Sequence, residues 1–582
     1  MLYFLAVWTI LLIVCSTIGL SGLAWLPPWP IQRAGDRWIV SVWLGTILLA
    51  ITLLAVALIH PLSLGTGLLT ATLLGGIAIV RSPVRSELRT WIGHTRRWGL
   101  LISGIAIGLA ILATQQVTWL DTGLYHYSLI QWLHQIGIVP GIALIFANFA
   151  FNSAWFALAA PLSPSPIGDQ VSAVLGGWVL LLAILQIGIC GRSIQRGEGQ
   201  LSDWFLVSFS LLMLLFSLLW PTLQEISISP SPDTPVAFLT GLVPWSMLVI
   251  AHRSAPTSTE LPAIHLQPAH AALLTSPNPQ MPLNDAIVPL VLAIGALTFK
   301  LTAMPLVLIA GAFYGWRNRS RWSAWFVGFS ITLILSAPFF IAQIQTSGCP
   351  LFPSNLFCLS LPVTVPPDVS DAVVQNTLDW QSWYQGSDQK TSTLQLLRRW
   401  LISSRSHQLL VAIIVISLVS IGLSIQSLIR YWPVGIVWVL ATQVVSMAFH
   451  ATTTLMFRFV LPSLLLIPAL LIAFRGCQTE LHRHLSLRNP GWTPQRSGTI
   501  LLAASVMIGL MVRSGHGLIL PPPLPTVEVT LKQASNFAFF SPQTEGELCW
   551  GTQIPCAFKI KPNIQLRDPD RGFSSGFIRK TP

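Results

Sequence analysis

Leu2-Tyr3-Phe4-Leu5-Ala6-Val7-Trp8-Thr9-Ile10-Leu11-Leu12-Ile13-Val14-Cys15-Ser16-Thr17-Ile18-Gly19-Leu20-Ser21-Gly22-Leu23-Ala24-Trp25-Leu26 contains no charged residue. The run exceeds the ~18 residues needed to cross hydrocarbon and the roughly 7–15-residue core of a secretory leader, and it lacks a basic region before it and a small-residue cleavage site after it. It reads as a retained spanning helix. Comparable runs follow at 38–59, 61–80, 98–114, 170–190, 204–222, 236–251, 286–299, 303–316, 322–342, 408–429, 432–449, 456–474 and 499–513. The fold class is therefore an all-α polytopic membrane protein of about 12–14 transmembrane helices.

Composition agrees. Only 9% of the 582 residues are charged and 53% are hydrophobic, with a mean hydropathy of +0.67. A soluble globular chain carries about 25% charge, so an ordinary soluble enzyme is excluded. The net charge of +12 would suggest nucleic acid in a soluble protein. Here it is topological: Arg81, Arg85, Arg89, Arg96 and Arg97 share one short loop, Arg317, Arg319 and Arg321 a second, and Arg475, Arg483, Arg488 and Arg496 a third. Basic residues accumulate in short cytoplasmic loops, which places these three loops inside. Residues 115–169 and 223–236 contain no Lys or Arg and fall outside.

The expected organisation is a membrane domain over 1–513, with external loops at 115–169 and 343–407, and an extracytoplasmic tail over 514–582. The expected location is the cytoplasmic (inner) membrane with the C-terminus outside. The run 286–316 reads as a hairpin of two short helices broken near Lys300 and Pro305, which keeps Arg317, Arg319 and Arg321 inside. Broken helices at membrane depth are tolerated where they line a cavity or are buried in protein. The Pro-rich segment 252–285 reads as a linker. The tail opens with the stiff spacer Pro521-Pro522-Pro523-Leu524-Pro525 and continues with strand-like alternation at Val527-Glu528-Val529-Thr530-Leu531. Cys549 and Cys556 are spaced for a small disulfide-closed loop in this external tail, and Cys349 with Cys358 allow a second.

The chemistry concentrates outside. Asp121-Thr122-Gly123-Leu124-Tyr125-His126-Tyr127 precedes a helical pattern in which Leu129, Trp132, Leu133 and Ile136 share a face suited to the membrane interface. An acid at a helix start has a purely structural explanation as a cap. Lys300, at the hairpin break, and Arg458, at the outer end of a late span, are cations in or beside the spans on this face, and such residues are functional candidates unless they snorkel to headgroups. Asp233 follows Ser229-Pro230-Ser231-Pro232, where Asp also serves turns. Phosphate-loop, dinucleotide, zinc-protease and Cys-x-x-Cys motifs are absent, which removes support for ATP-driven transport, dinucleotide redox chemistry and zinc proteolysis.

The Asp121–Tyr127 stretch, with Gly137-Ile138-Val139-Pro140-Gly141 and Phe151-Asn152-Ser153-Ala154-Trp155-Phe156, resembles the first external loop of a group of bacterial multi-pass membrane proteins. That group is in turn similar to the GT-C superfamily of polyprenol-phosphate-sugar-dependent glycosyltransferases. Ser229–Asp233, Lys300-Leu301-Thr302-Ala303-Met304-Pro305, Ser347–Ser354, and Cys549-Trp550 with Pro555-Cys556 extend the resemblance. It implies a GT-C-like fold and a transferase in which Asp121 is the catalytic or metal-associated acid. On this reading Asp233 supports it, Tyr125 and His126 bind beside it, and Lys300 and Arg458 hold the donor phosphate. A divalent metal ion is a possible cofactor. The partners are a polyprenyl-phosphate-linked sugar and membrane lipid, with no nucleic acid. The pattern departs at Ala342, near which relatives carry an arginine. The alternatives are a transporter or flippase, or a silent scaffold, for lipid-linked glycans. Transporters commonly show paired repeats, and no second copy of the Asp121 loop or of the hairpin is present.

Overall fold

The computed structural model describes residues 1–26, 31–95, 98–252, 284–382, scattered positions from 398 to 422, 434–454, 456–478, 520–544 and 548–580. The linker segment 253–283, most of span 408–429, span 499–513, and Arg96, Arg97, Arg483, Arg488 and Arg496 lie outside the described residues.

The chain is overwhelmingly helical. In order come α1 (Leu2–Leu23), α2 (Ala34–Ala57), α3 (Leu64–Val80), α4 (Ser82–Thr95), α5 (Gly99–Ala113), α6 (Tyr127–Gln135), α7 (Ala154–Ala159), α8 (Gly168–Val171), α9 (Val174–Gln195), α10 (Leu201–Leu219), α11 (Pro221–Ser227) and α12 (Asp233–His252). There follow α13 (Ile287–Phe299), α14 (Met304–Arg317), α15 (Trp322–Ser347), α16 (Pro367–Ser382), α17 (Val434–Thr453), α18 (Phe457–Leu464) and α19 (Leu466–Gln478). The tail holds two antiparallel pairs, β1 (Val529–Ala534) with β2 (Phe537–Pro542) and β3 (Ile564–Leu566) with β4 (Phe577–Arg579).

Among the described residues, eight helices are long and apolar enough to cross a membrane, or nine counting α3 with α4, which bend 99° apart. The count falls below the expected 12–14 for two reasons. Spans 408–429 and 499–513 are largely undescribed, and α5, α13 and α14 have 15, 13 and 14 residues. At 1.5 Å per residue these reach only about 20 Å, short of the ~30 Å hydrocarbon layer. The apolar surface suits lipid: α3 exposes Leu68, Leu69, Leu73 and Ile77, and α15 exposes Phe326, Phe329, Leu333 and Ile334. In water such patches would be costly.

Small residues set the tightest helix crossing. A Cβ on Gly19 would lie 1.8 Å from the Ser41 carbonyl oxygen, and one on Gly45 would lie 1.8 Å from that of Cys15. Backbones of α1 and α2 can approach so closely only because these positions lack side chains.

Residues 286–317 form the expected hairpin. Asn284 donates to Asn318 at 2.5 Å and Asp285 faces Arg317 at 3.8 Å, so the two arms start and finish at the same end of the molecule. Lys300, extended at φ −158°, makes the tip. At the base end of the bundle, Arg33 grips Asp36 through Nε at 2.8 Å and also bonds Asp203. At the opposite end lie the 114–167 segment, the hairpin tip and the tail.

One expectation changes. The apolar face of α6 does not lie on lipid: Leu129, Trp132 and Leu133 are buried and Ile136 is half-buried. Trp132 meets the rings of Phe573 and Phe577 edge-on at 5.7 and 6.3 Å, and the Phe577 amide donates to the Pro140 carbonyl at 2.8 Å. The tail supplies the apolar cover that the helical pattern alone assigned to a membrane interface. The Cys549–Cys556 and Cys349–Cys358 sulfur atoms both lie at bonding distance.

Candidate functional site

Asp121 begins a π-helical turn, Thr122–His126, that runs directly into α6. Such turns are rare and frequent at functional positions. Its carboxylate caps no backbone amide; it accepts from the Arg458 guanidinium at 2.7 Å. Arg458 sits in the first turn of α18, whose start follows directly on the loop after α17. Asp233, the first residue of α12, receives a bond from the Lys300 ammonium and faces Arg458 Nε at 3.6 Å. Neither cation snorkels away from the bundle.

Four charges from four separate segments thus close into a chain: Asp121, Arg458, Asp233, Lys300. All four side chains are less than 20% exposed. Two negatives and two positives balance, which lets the group remain buried where a lone charge could not. Aromatic rings complete the shell, with Phe459 4.1 Å from Lys300 and 4.8 Å from Arg458, and Trp119 5.0 Å from Arg458. Cations over ring faces gain about 0.5–2 kcal/mol.

The cluster borders an open cavity of about 1560 Å³ that Asp121, Tyr125, Lys300 and Arg458 line together with Phe151, Phe156, Phe339 and Phe352. Asp233 instead lines a small pocket of about 30 Å³ on the other side of the cluster, with Ser446, His450 and Arg458. His126 does not line the large cavity. It stands behind it, packed 4.4 Å from Tyr125 and 5.1 Å from Phe156, with Nδ1 unpartnered among the described residues.

Electrostatics follow from these positions. Burial pushes the Asp121 carboxyl up, but the positive charge around it, Arg458 foremost, holds it below the usual carboxylate range. Burial pushes the His126 imidazole down to about 4, so it is neutral at physiological pH. Burial, aided by the two aspartates, drives the Tyr125 phenol well above its ordinary value. Tyr125 therefore lines the cavity as a neutral phenol.

A divalent metal does not fit this donor set. Among the described residues, the only group of three or more His, Cys, Asp and Glu side chains whose ligand atoms gather within 4.8 Å is Asp36, Cys190 and Asp203. Those lie at the base end, where Arg33 already bridges the two carboxylates. At the cavity, Asp121 and Asp233 are met by guanidinium and ammonium groups that would repel a dication.

The structure also brings in Gln343, which the sequence did not single out, and gives a contact to Asn152, quoted above only within a longer stretch. Asn152 and Gln343 line the cavity, and Asn152 Nδ2 donates to Gln343 Oε1 at 3.1 Å and to Thr346 Oγ1 at 2.6 Å. Gln343 follows the buried Ala342, so a neutral amide occupies the wall where an arginine was expected nearby. Their place at the ends of two distant segments left no local signal beyond two amides in apolar surroundings.

A family model described as a domain of unknown function, DUF8201, matches residues 1–465. The chain belongs to the DUF8201 family. All four charged residues of the cluster fall within the DUF8201 match, whereas the tail that docks against α6 lies beyond it. Neither the curated proteins nor the solved structures contain a match to this DUF8201 chain.

Proposed function

We propose that this protein is an integral-membrane glycosyltransferase-like enzyme of GT-C type. It transfers a sugar from a polyprenyl-phosphate-linked donor to an acceptor at the outer face of the cytoplasmic membrane. The observation that carries the reading is the convergence of Asp121, Asp233, Lys300 and Arg458 at the charged end of a large, mainly apolar cavity.

The arrangement suits a ligand with a long apolar chain and an anionic head. At about 1560 Å³ the cavity exceeds the ~300–1,000 Å³ of ordinary small-molecule sites, in keeping with room for part of a lipid. Donor phosphate would take the place of carboxylates on Lys300 and Arg458, giving charge-assisted bonds of the same sign and geometry. As Arg458 turns to phosphate, its hold on Asp121 relaxes and the carboxylate becomes a better base. The acceptor hydroxyl oxygen then attacks the anomeric carbon while its proton passes to Asp121. The bond from that carbon to the phosphate oxygen breaks, its electron pair leaves with the lipid phosphate, and Lys300 and Arg458 stabilise the added charge.

The test is the surface-glycan profile of cells carrying Asp121→Asn, beside wild type and a full deletion at matched membrane abundance. Asn keeps the size of Asp but accepts no proton. Loss of the same glycan in mutant and deletion supports the transferase. A defect confined to the deletion overturns it and leaves the transporter or scaffold reading in its place.

A further inference from the structure

The tail does more than cover α6. Its loop 548–557 reaches the turn that carries Asp121, where the Trp550 amide donates to the Gly123 carbonyl at 3.1 Å. The indole lies flat against the same residue: a Cβ on Gly123 would come within 2.5 Å of Trp550 Cδ2 and 2.6 Å of Cε2. Gly123 is thus the gap into which the indole fits, one residue from Thr122 and two from Asp121.

Trp550 is held in an unfavourable backbone state to make this contact. Its φ is +43°, a left-handed value that a bulky residue adopts only when its surroundings impose it. Those surroundings are visible. Cys549, the adjacent residue, is bonded to Cys556, and the loop is tied to the β1–β2 pair by Phe540 N–H to Pro555 O at 2.9 Å and Ala557 N–H to Phe540 O at 3.0 Å. Gln116, just ahead of the Asp121 turn, donates to the Pro523 carbonyl at 3.3 Å. The tail therefore grips both flanks of the turn.

We infer that the disulfide-closed loop is a positioning element for the Asp121 turn, with Trp550 as its contact residue. The inference deepens the proposed function and rests on it for the role of Asp121; the docking itself does not. With the loop undocked, the turn loses both the hydrogen bond and the indole packing at Gly123, and Asp121 loses the backbone frame that aims it at Arg458. Trp550 touches no reacting atom and acts through Gly123.

Hydrogen–deuterium exchange on the full-length protein in lipid nanodiscs tests this. Wild type is compared with Trp550→Ala, Trp550→Phe and Cys549→Ser/Cys556→Ser. Exchange over 121–127 is expected to rise about tenfold or more in the Ala and double-Ser variants, with α9 and α12 unchanged and with Trp550→Phe close to wild type. Unchanged exchange over 121–127 while 548–557 opens overturns the inference. Should a variant fail to fold, wild type treated with a reductant after reconstitution gives the same comparison. A cycle with Gly123→Ala is a second measure: the added methyl should loosen 121–127 in wild type and do nothing further in Trp550→Ala. Additive effects would again overturn the contact. Glycan profiles separate the two levels. Opening of the turn with normal glycan in both Trp550→Ala and Asp121→Asn sinks the transferase and leaves the clamp standing. Glycan lost in Asp121→Asn but kept in Trp550→Ala, despite an opened turn, overturns the positioning role.

Discussion

Asp121 and Arg458 are 337 positions apart in the chain and 2.7 Å apart in space. Both side chains are largely buried in the wall of the cavity. Removing one partner of such a buried pair leaves the other uncompensated, at a typical cost of about 3–5 kcal/mol, whereas removing both is far milder.

Arg458→Met alone is therefore expected to lower the thermal midpoint of the purified protein more than Arg458→Met combined with Asp121→Asn. The coupling should amount to about 1–3 kcal/mol. Strictly additive effects would show that the two groups are not linked.

His126 gives a pH signature. Its imidazole titrates at about 4 in the fold and near its ordinary 6.5 when unfolded. Between these values the unfolded chain binds the extra proton, so stability rises with pH. The contribution is complete above about 6.5 and is lost as pH falls towards about 4. His126→Gln should flatten this part of the stability profile, and an unchanged slope in the variant would remove His126 as its source.

Asn152→Ala deletes the donor to Gln343 and Thr346 and strands a buried acceptor. A loss of about 1–3 kcal/mol is expected in denaturation of the reconstituted protein. Asn152→Leu should do no better, because shape is not what the site lacks. Wild-type stability in either variant would show that the amide is dispensable.

Gly45→Val tests the α1–α2 crossing. A Cβ 1.8 Å from the Cys15 carbonyl oxygen forces the helices apart, at a cost of about 2 kcal/mol or more. Membrane-embedded protein at wild-type abundance and melting temperature would contradict the close crossing.

Local pattern carried most of the architecture. Apolar runs announced α1, α2, α9, α10 and α12, and the break at Lys300 with Pro305 beside it announced a hairpin. The site was legible as a set of residue types out of place: Asp121, Asp233, Lys300 and Arg458 are polar groups where the surroundings are apolar. Their pairing was not legible, because no periodicity relates positions hundreds of residues apart. The role of α6 misled for a physical reason. An apolar helix face looks the same whether lipid or Phe573 and Phe577 will cover it. Trp550 was noted beside Cys549, but its contact was not legible because its partner is a glycine, which advertises an empty space only once both backbones are in place.

The docking of residues 548–557 on Gly123 also sets an order of manufacture. Ribosomes deliver the Asp121 turn early, yet the strand and loop that complete it are made only after Arg458 and the helix that follows it. A chain interrupted between Arg458 and Trp550 would carry every charged member of the cluster and still hold an unfinished turn. Closure of the junction between Trp550 and Gly123 therefore waits on synthesis of the tail.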